Sequence, residues 1–153
     1  MLLLKREQAA EIETHGEREF PFECCGLLIG NLSHYGHKTV VEIFPIENAK
    51  EESARHNRSL ILPKELLRGE RYAREKKLDV VGNYHSHPDH PAVPSQFDLD
   101  HALPVWSYII VSVLEGKATD VRSWEMENDR SKFNEEQIKK EENQLQLHTD
   151  KHR

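Results

Sequence analysis

His85 and His87 stand two apart at the end of an apolar stretch, in the run GNYHSHPDHPAVPSQFDLDHA (82–102), which holds four histidines and three aspartates. Side chains alternate across a strand, so in an extended segment both imidazoles leave the same face and converge on one point. Asp98 falls in the first turn of the helix that should follow. A loop stiffened by Pro88, Pro91 and Pro94 and folded back would bring its carboxylate to the same point. Two imidazoles and a carboxylate leave a fourth position open, the arrangement of a catalytic zinc site rather than a closed, thiolate-rich structural one. Zinc so held brings the pKa of a bound water to about 7 and polarises a substrate carbonyl. The same donors also suit iron or cobalt. The spacing supplies no general base.

These residues also have plainer readings. Two histidines and an acid at a strand end make an ordinary polar surface. Ser95 and Asp98 fit the Ser-x-x-Asp start of a helix, with Ser95 as N-cap and Asp98 at the favourable end of the dipole, a role compatible with chemistry. His101 lies one helical turn after Asp98 and His90 lies in the loop, and spacing leaves both open as substitutes for one of the ligands.

The elements around the run must do the positioning. Leu2 to Leu4 read as a short strand or a helix lead-in, followed by an amphipathic helix marked by Ala9, Ile12, Gly16 and Phe20 and stopped by Pro21. Cys24 to Gly30 reads as a buried strand in which Gly26 admits the close approach of another backbone. After a turn-rich stretch, residues 39–48 form its hairpin partner. Residues 49–58 read as polar loop and 59–62 as a short apolar run. Pro63 opens a crossover helix with an inward stripe of Leu66, Leu67, Tyr72 and Ala73. Residues 79–87 form a strand, a helix opens near Ser95, and residues 107–116 and 119–127 make a hairpin over a glycine turn. Residues 134–153 are strongly polar and read as a peripheral helix or frayed tail. The order predicts one mixed α/β or α+β domain over 1–133, without repeats or linkers.

Composition agrees with a single domain. The 153 residues suffice for one sizeable core. Charged residues make up 31%, the formal net charge is -6, and both signs are interspersed, so no basic face points to nucleic acid. The longest apolar run, Tyr108 to Leu114, is too short to span a bilayer, and no secretory signal is read at the amino terminus. The two cysteines, Cys24 and Cys25, are neighbours, frame no disulfides and are expected to pack as small hydrophobes in a cytoplasmic setting.

His85-Ser86-His87, seven residues to Ser95 and two more to Asp98 complete an H-x-H-x7-S-x2-D pattern. With Glu23 in the upstream PFECCGLLIG, this resembles the JAMM, or MPN+, zinc metallopeptidases over roughly Leu2 to Phe133. The resemblance implies one MPN domain, a mixed sheet flanked by helices in a cytidine-deaminase-like arrangement, and one zinc per chain on His85, His87 and Asp98. It also implies catalytic roles for two further residues. Glu23 would take a proton from the water and return it to the leaving amine, and Ser95 would donate a hydrogen bond to the oxyanion. Read alone, Glu23 is one acid among several, with Glu17 and Glu19 close by.

JAMM enzymes split peptide or isopeptide bonds, often beside the carboxyl terminus of ubiquitin or a ubiquitin-like protein. Only eight residues separate Asp98 from the strand at Ser107, too few for the ubiquitin-gripping insertion of the eukaryotic deubiquitinases. The chain is most similar to compact bacterial members associated with ubiquitin-like sulfur-carrier proteins. The expected reaction is hydrolysis at the carrier's flexible tail, bound along a sheet edge by main-chain hydrogen bonds. Two other readings remain: an MPN scaffold without metal, opposed by the complete set of five residues, and a zinc peptidase acting on cell-wall or amino-acid adducts. A nucleobase deaminase would need P-C-x-x-C, which is absent.

Overall fold

The computed structural model describes residues 1–33, 35–47 and 61–141. The expected loop at 49–58, the start of the apolar run at 59–62 and the last part of the polar tail lie outside them. The described chain runs β1 (Leu2–Lys5), α1 (Arg6–Glu19), β2 (Cys25–Leu32), β3 (Lys38–Ile46), α2 (Pro63–Glu75), β4 (Asp79–Pro88), α3 (Gln96–His101), β5 (Ser107–Leu114), β6 (Lys117–Met126), β7 (Phe133–Glu136) and β8 (Ile138–Glu141).

The strands form one sheet in the order β7-β6-β5-β4-β2-β3-β1-β8. It is mixed: β4 runs parallel to β5, and β1 runs parallel to β3 and β8. Parallel neighbours need a crossover, which the α3 segment supplies between β4 and β5. The apolar run of β5 is buried from Ser107 to Val113, as suits a strand covered on both faces. A two-residue turn at Glu115 and Gly116, both at positive φ, joins it to β6.

Helices cover the two faces. α1 packs Ala9 and Ile12 into a core with Leu2, Leu4, Tyr84, Ile109 and Val111. Its Gln8 side chain donates to the Val40 and Val41 carbonyls of β3. On the opposite face, Leu66 of α2 and Ile61 pack against Cys25, Leu27 and Ile46. The expected α2 stripe holds for Leu66, Tyr72 and Ala73, but Leu67 points to solvent at 46% exposure. Gly69 falls on the inward phase instead, so close to the sheet that a Cβ there would lie 2.2 Å from Leu27 Cδ1. A close approach does occur at Gly26, but it is the ring of Tyr84 and not a backbone that presses there, 2.2 Å from where a Cβ would stand.

The largest departure from expectation is in the polar segment after Phe133. Through Glu141 it is neither helix nor frayed tail but two strands, β7 against β6 and β8 against β1. A domain boundary at 133/134 therefore cuts through β7. What draws this polar chain into the sheet is Glu136, 4% exposed, whose carboxylate accepts from Ser107 Oγ at 2.6 Å and Ser123 Oγ at 2.8 Å and faces Lys38 Nζ at 3.5 Å. Only Gln137 separates β7 and β8, which occupy opposite ends of the strand order. The sheet must therefore curl until β6 and β1 flank one continuous stretch of chain, and the Leu2 amide donates to the Gln137 carbonyl at 2.9 Å across that closure.

Candidate metal centre

Period-two alternation in β4 sorts its side chains by face. Tyr84 and Ser86 point into the α1 core, whereas Asn83, His85 and His87 share the face of α2 and α3. The two imidazoles meet as the spacing predicts, with Nε2 of His85 and Nε2 of His87 3.1 Å apart. Asp98 arrives from α3, its Oδ1 3.2 Å from His85 Nε2 and its Oδ2 3.4 Å from His87 Nε2. Donors bound to one tetrahedral ion at about 2.0–2.2 Å stand about 3.3–3.6 Å from one another. The two nitrogens, and each nitrogen with its nearer Asp98 oxygen, are thus separated by close to the edge lengths of a metal's coordination shell, and their chemistry, two nitrogens and a carboxylate, fits a divalent ion.

The inward atoms are prepared for this. His87 Nδ1 sits 2.8 Å from the Pro91 carbonyl, which can only accept, so a neutral His87 carries its proton on Nδ1 and turns an unprotonated Nε2 inward. Burial works to lower the His87 pKa, but the Asp98 carboxylate and the Pro91 carbonyl outweigh it and raise it. For Asp98, burial works upward, yet the neighbouring His85, the bonds to both rings and the Ser95 amide hold it well below the usual carboxylate range. Asp98 is therefore ionised across the neutral range.

Ser95 caps α3. Its Oγ accepts from the Asp98 amide at 3.2 Å, and its own amide donates to Asp98 Oδ2 at 2.8 Å. The cap thus fixes the carboxylate that faces the histidines, and it leaves the Ser95 hydroxyl hydrogen available as a donor. The loop between β4 and α3 is tied down along its length: Asp89 N–H to Val113 O, Ser112 Oγ to the His90 carbonyl, and Trp124 Nε1 to the Ala92 carbonyl. Proline stiffness is only part of what folds it back. Among the other histidines, His90 is exposed, and His101 is exposed with Nδ1 2.8 Å from the Phe97 carbonyl. Neither joins the cluster.

Glu23, just before β2, is 3% exposed. Each of Glu23, His85 and His87 offers a donor atom within 4.8 Å of the others, so these three also form a possible metal-binding group. Asp98 comes closer to both rings than that limit. Ser86, to which spacing assigned no role, links Glu23's segment to the ligand strand. Fully buried, its Oγ accepts from the Cys24 amide at 2.8 Å, where the ladder would otherwise use a carbonyl, and its own amide donates to Cys24 O. The alternation that sends His85 and His87 one way sends Ser86 the other, a signal for its inward direction but not for the amide it accepts from. Cys24 itself is inert: burial pushes its thiol up to about 12.

The family described as prokaryotic homologs of the JAB domain matches residues 5–127, most of the chain. The chain belongs to that family. It is the prokaryotic side of the MPN/JAMM group that the sequence resembles. Among solved structures, a Desulfitobacterium hafniense protein studied in solution is 29% identical, with a TM-score of 0.81 over 97% of this chain and 98% of that one. A Salinibacter ruber protein, also a solution structure, is 35% identical, with a TM-score of 0.72 over 92% of each chain. No curated protein matches the chain. The JAB match stops short of β7 and β8, whereas these structural matches span nearly the whole chain.

In this JAB domain the cluster lies at the junction of two hollows that share Phe97 and Asp98. One, of about 510 Å³, is walled by Glu23, His87, Ser95 and the three prolines. The other, of about 180 Å³, runs past His85 over Asn83. β4 is paired to β2 on one side and β5 on the other, so the site strand offers no open edge. An extended substrate tail would have to lie in the cleft rather than add to the sheet there. No helix among the described residues is long and apolar enough to cross a membrane.

Proposed function

We propose that this JAB domain is a metal-dependent peptidase that hydrolyses a peptide or isopeptide bond at the carboxyl-terminal tail of a small ubiquitin-like sulfur-carrier protein. The observation that carries the reading is the convergence of two imidazole nitrogens 3.1 Å apart with the Asp98 carboxylate, one oxygen 3.2 Å from His85 and the other 3.4 Å from His87, and the buried Glu23 beside them. His85, His87 and Asp98 would hold one divalent ion, zinc by donor type. When bound, such an ion supplies Lewis acidity and brings water's pKa to about 7. Glu23, shielded from solvent and adjacent to the donors, takes a proton from the attacking water and passes it to the leaving amine. Ser95, its Oγ lone pair engaged by α3, keeps its hydrogen to donate to the developing oxyanion.

Metal content is the first test. Wild-type protein should carry about one zinc per chain by mass spectrometry, and His87→Ala and Asp98→Ala should lose it. Glu23→Gln should keep the metal while hydrolysis of carrier-tail conjugates falls on the order of a hundredfold or more. Wild-type protein that stays metal-free after incubation with zinc would instead mark a scaffold. Hydrolysis of cell-wall fragments with carrier conjugates untouched would move the substrate and keep the chemistry.

A further inference from the structure

The smaller hollow adjoins the metal centre without being used by it. It lies over β4 beyond His85, lined among others by Asn83, Leu66, Phe97, His101, Trp106 and Tyr108. Asn83 precedes His85 by two residues on the same face, about 7 Å along the strand, a distance for a long side chain on a residue beside the attacked bond to bridge. Its Oδ1 is buried and has no hydrogen-bond partner among the described residues, a state that folded proteins rarely leave unexplained.

The mouth of the hollow is unusual as well. Leu103, which lines it, stands 49% exposed, and Val105, between Leu103 and the lining residue Trp106 in the chain, 59%. Val105, a β-branched residue, sits at φ +82, a conformation that such residues avoid and that collects at ligand-binding loops. The loop is held in place by Tyr108 Oη, which bonds both main-chain groups of Leu103, and by Arg130, which donates to the Ala102 carbonyl. This fastening sets Trp106, the next residue, against the hollow. An apolar cavity of about 150 Å³ takes up benzene, so about 180 Å³ accepts one ring.

We propose that this hollow is a specificity subsite seating one ring-sized, mainly apolar side chain of the residue beside the bond under attack, with a phenolic hydroxyl donating to Asn83 Oδ1. The assignment rests on the peptidase reading, and its test is a binding measurement that needs neither metal nor turnover. The full chain, labelled with nitrogen-15, is titrated with N-acetyltyrosinamide, N-acetylphenylalaninamide and N-acetylglycinamide. The two ring compounds should shift the Trp106 indole and Asn83 side-chain signals, and the glycine compound should not. Tyrosine should bind about two- to tenfold more tightly than phenylalanine, the ordinary worth of one hydrogen bond.

Asn83→Leu should erase that preference while phenylalanine still binds, and Leu66→Trp should block both, with a thermal melt confirming that each variant folds. His87→Ala should leave ring binding intact. Shifts away from Trp106 and Asn83, a tyrosine preference that survives Asn83→Leu, or no binding to wild type would overturn the assignment. Peptide hydrolysis indifferent to ring side chains, together with absent ring binding, would sink the subsite alone. Ring binding with no hydrolysis of any peptide would sink the peptidase reading.

Discussion

Ser86 shows how much a single hydroxyl can carry. Lying between the two imidazole-bearing residues but facing away from them, it stands in for the missing ladder partner of Cys24 and so fixes the segment that presents Glu23. Ser86→Ala leaves the Cys24 amide buried without an acceptor, a loss of about 1–3 kcal/mol, and a lower melting temperature is expected. Because His87 keeps its bond to the Pro91 carbonyl and Asp98 its bond from the Ser95 amide, metal content should change little while turnover falls. Equal losses of metal and turnover would show that Ser86 serves only the ligand strand. His85, His87 and Asp98 could be brought together from the sequence because their spacing coincides with strand and helix periods, whereas Glu23 and the oxyanion role of Ser95 come only with the family resemblance. Ser86's acceptor role could not be read from it, since nothing in spacing says which carbonyl a strand end lacks.

The contact between α1 and β4 rests on a titratable pair. His15 Nδ1 and Tyr84 Oη are 2.8 Å apart in the core, with the rings edge to face. Burial lowers the His15 pKa, Glu19 acts to raise it and Arg18 to lower it. The folded value lies below the unfolded 6.5, so as pH falls the unfolded chain takes up the proton first. The stability that His15 contributes is fully present above about pH 6.5 and is lost as pH falls through the folded pKa. His87, raised in the folded protein, acts in the opposite sense. The comparison therefore belongs in a His87→Ala background, where the fall in melting temperature between pH 7 and 5.5 should flatten in His15→Gln, which keeps a polar partner for Tyr84 but cannot titrate. An unchanged slope would remove His15 as the cause. At this level the sequence was informative wherever apolar residues kept a period: α1, α2 and the strands up to β6 follow it. It misled where polarity was taken for lack of structure, because β7 and β8 are held by main-chain pairing and one buried carboxylate.

The curled sheet ties together segments far apart in the chain. Lys38 Nζ, 2% exposed, lies 2.8 Å from Glu125 and 3.5 Å from Glu136, so β3, β6 and β7 share one ionic cluster at the closure. Removing Glu136 leaves Lys38 with Glu125 alone and the buried Ser107 and Ser123 hydroxyls without their acceptor, and Glu136→Ala should cost about 1–3 kcal/mol in chemical unfolding. Glu136→Gln, which still accepts from Ser107 and Ser123, should cost less. Mixed topology and the order of elements could be read in advance; closure could not, since pairing between β1 and β8 depends on residues more than 130 positions apart. That separation has a consequence for biosynthesis. β1 leaves the ribosome well before β8 and waits for its outer partner while the intervening chain is made, roughly 7–27 s at 5–20 residues per second. Throughout that interval its open flank can pair with another nascent chain, so the yield of soluble protein should depend on how many copies a cell translates at once, even though the finished sheet is sealed on that side.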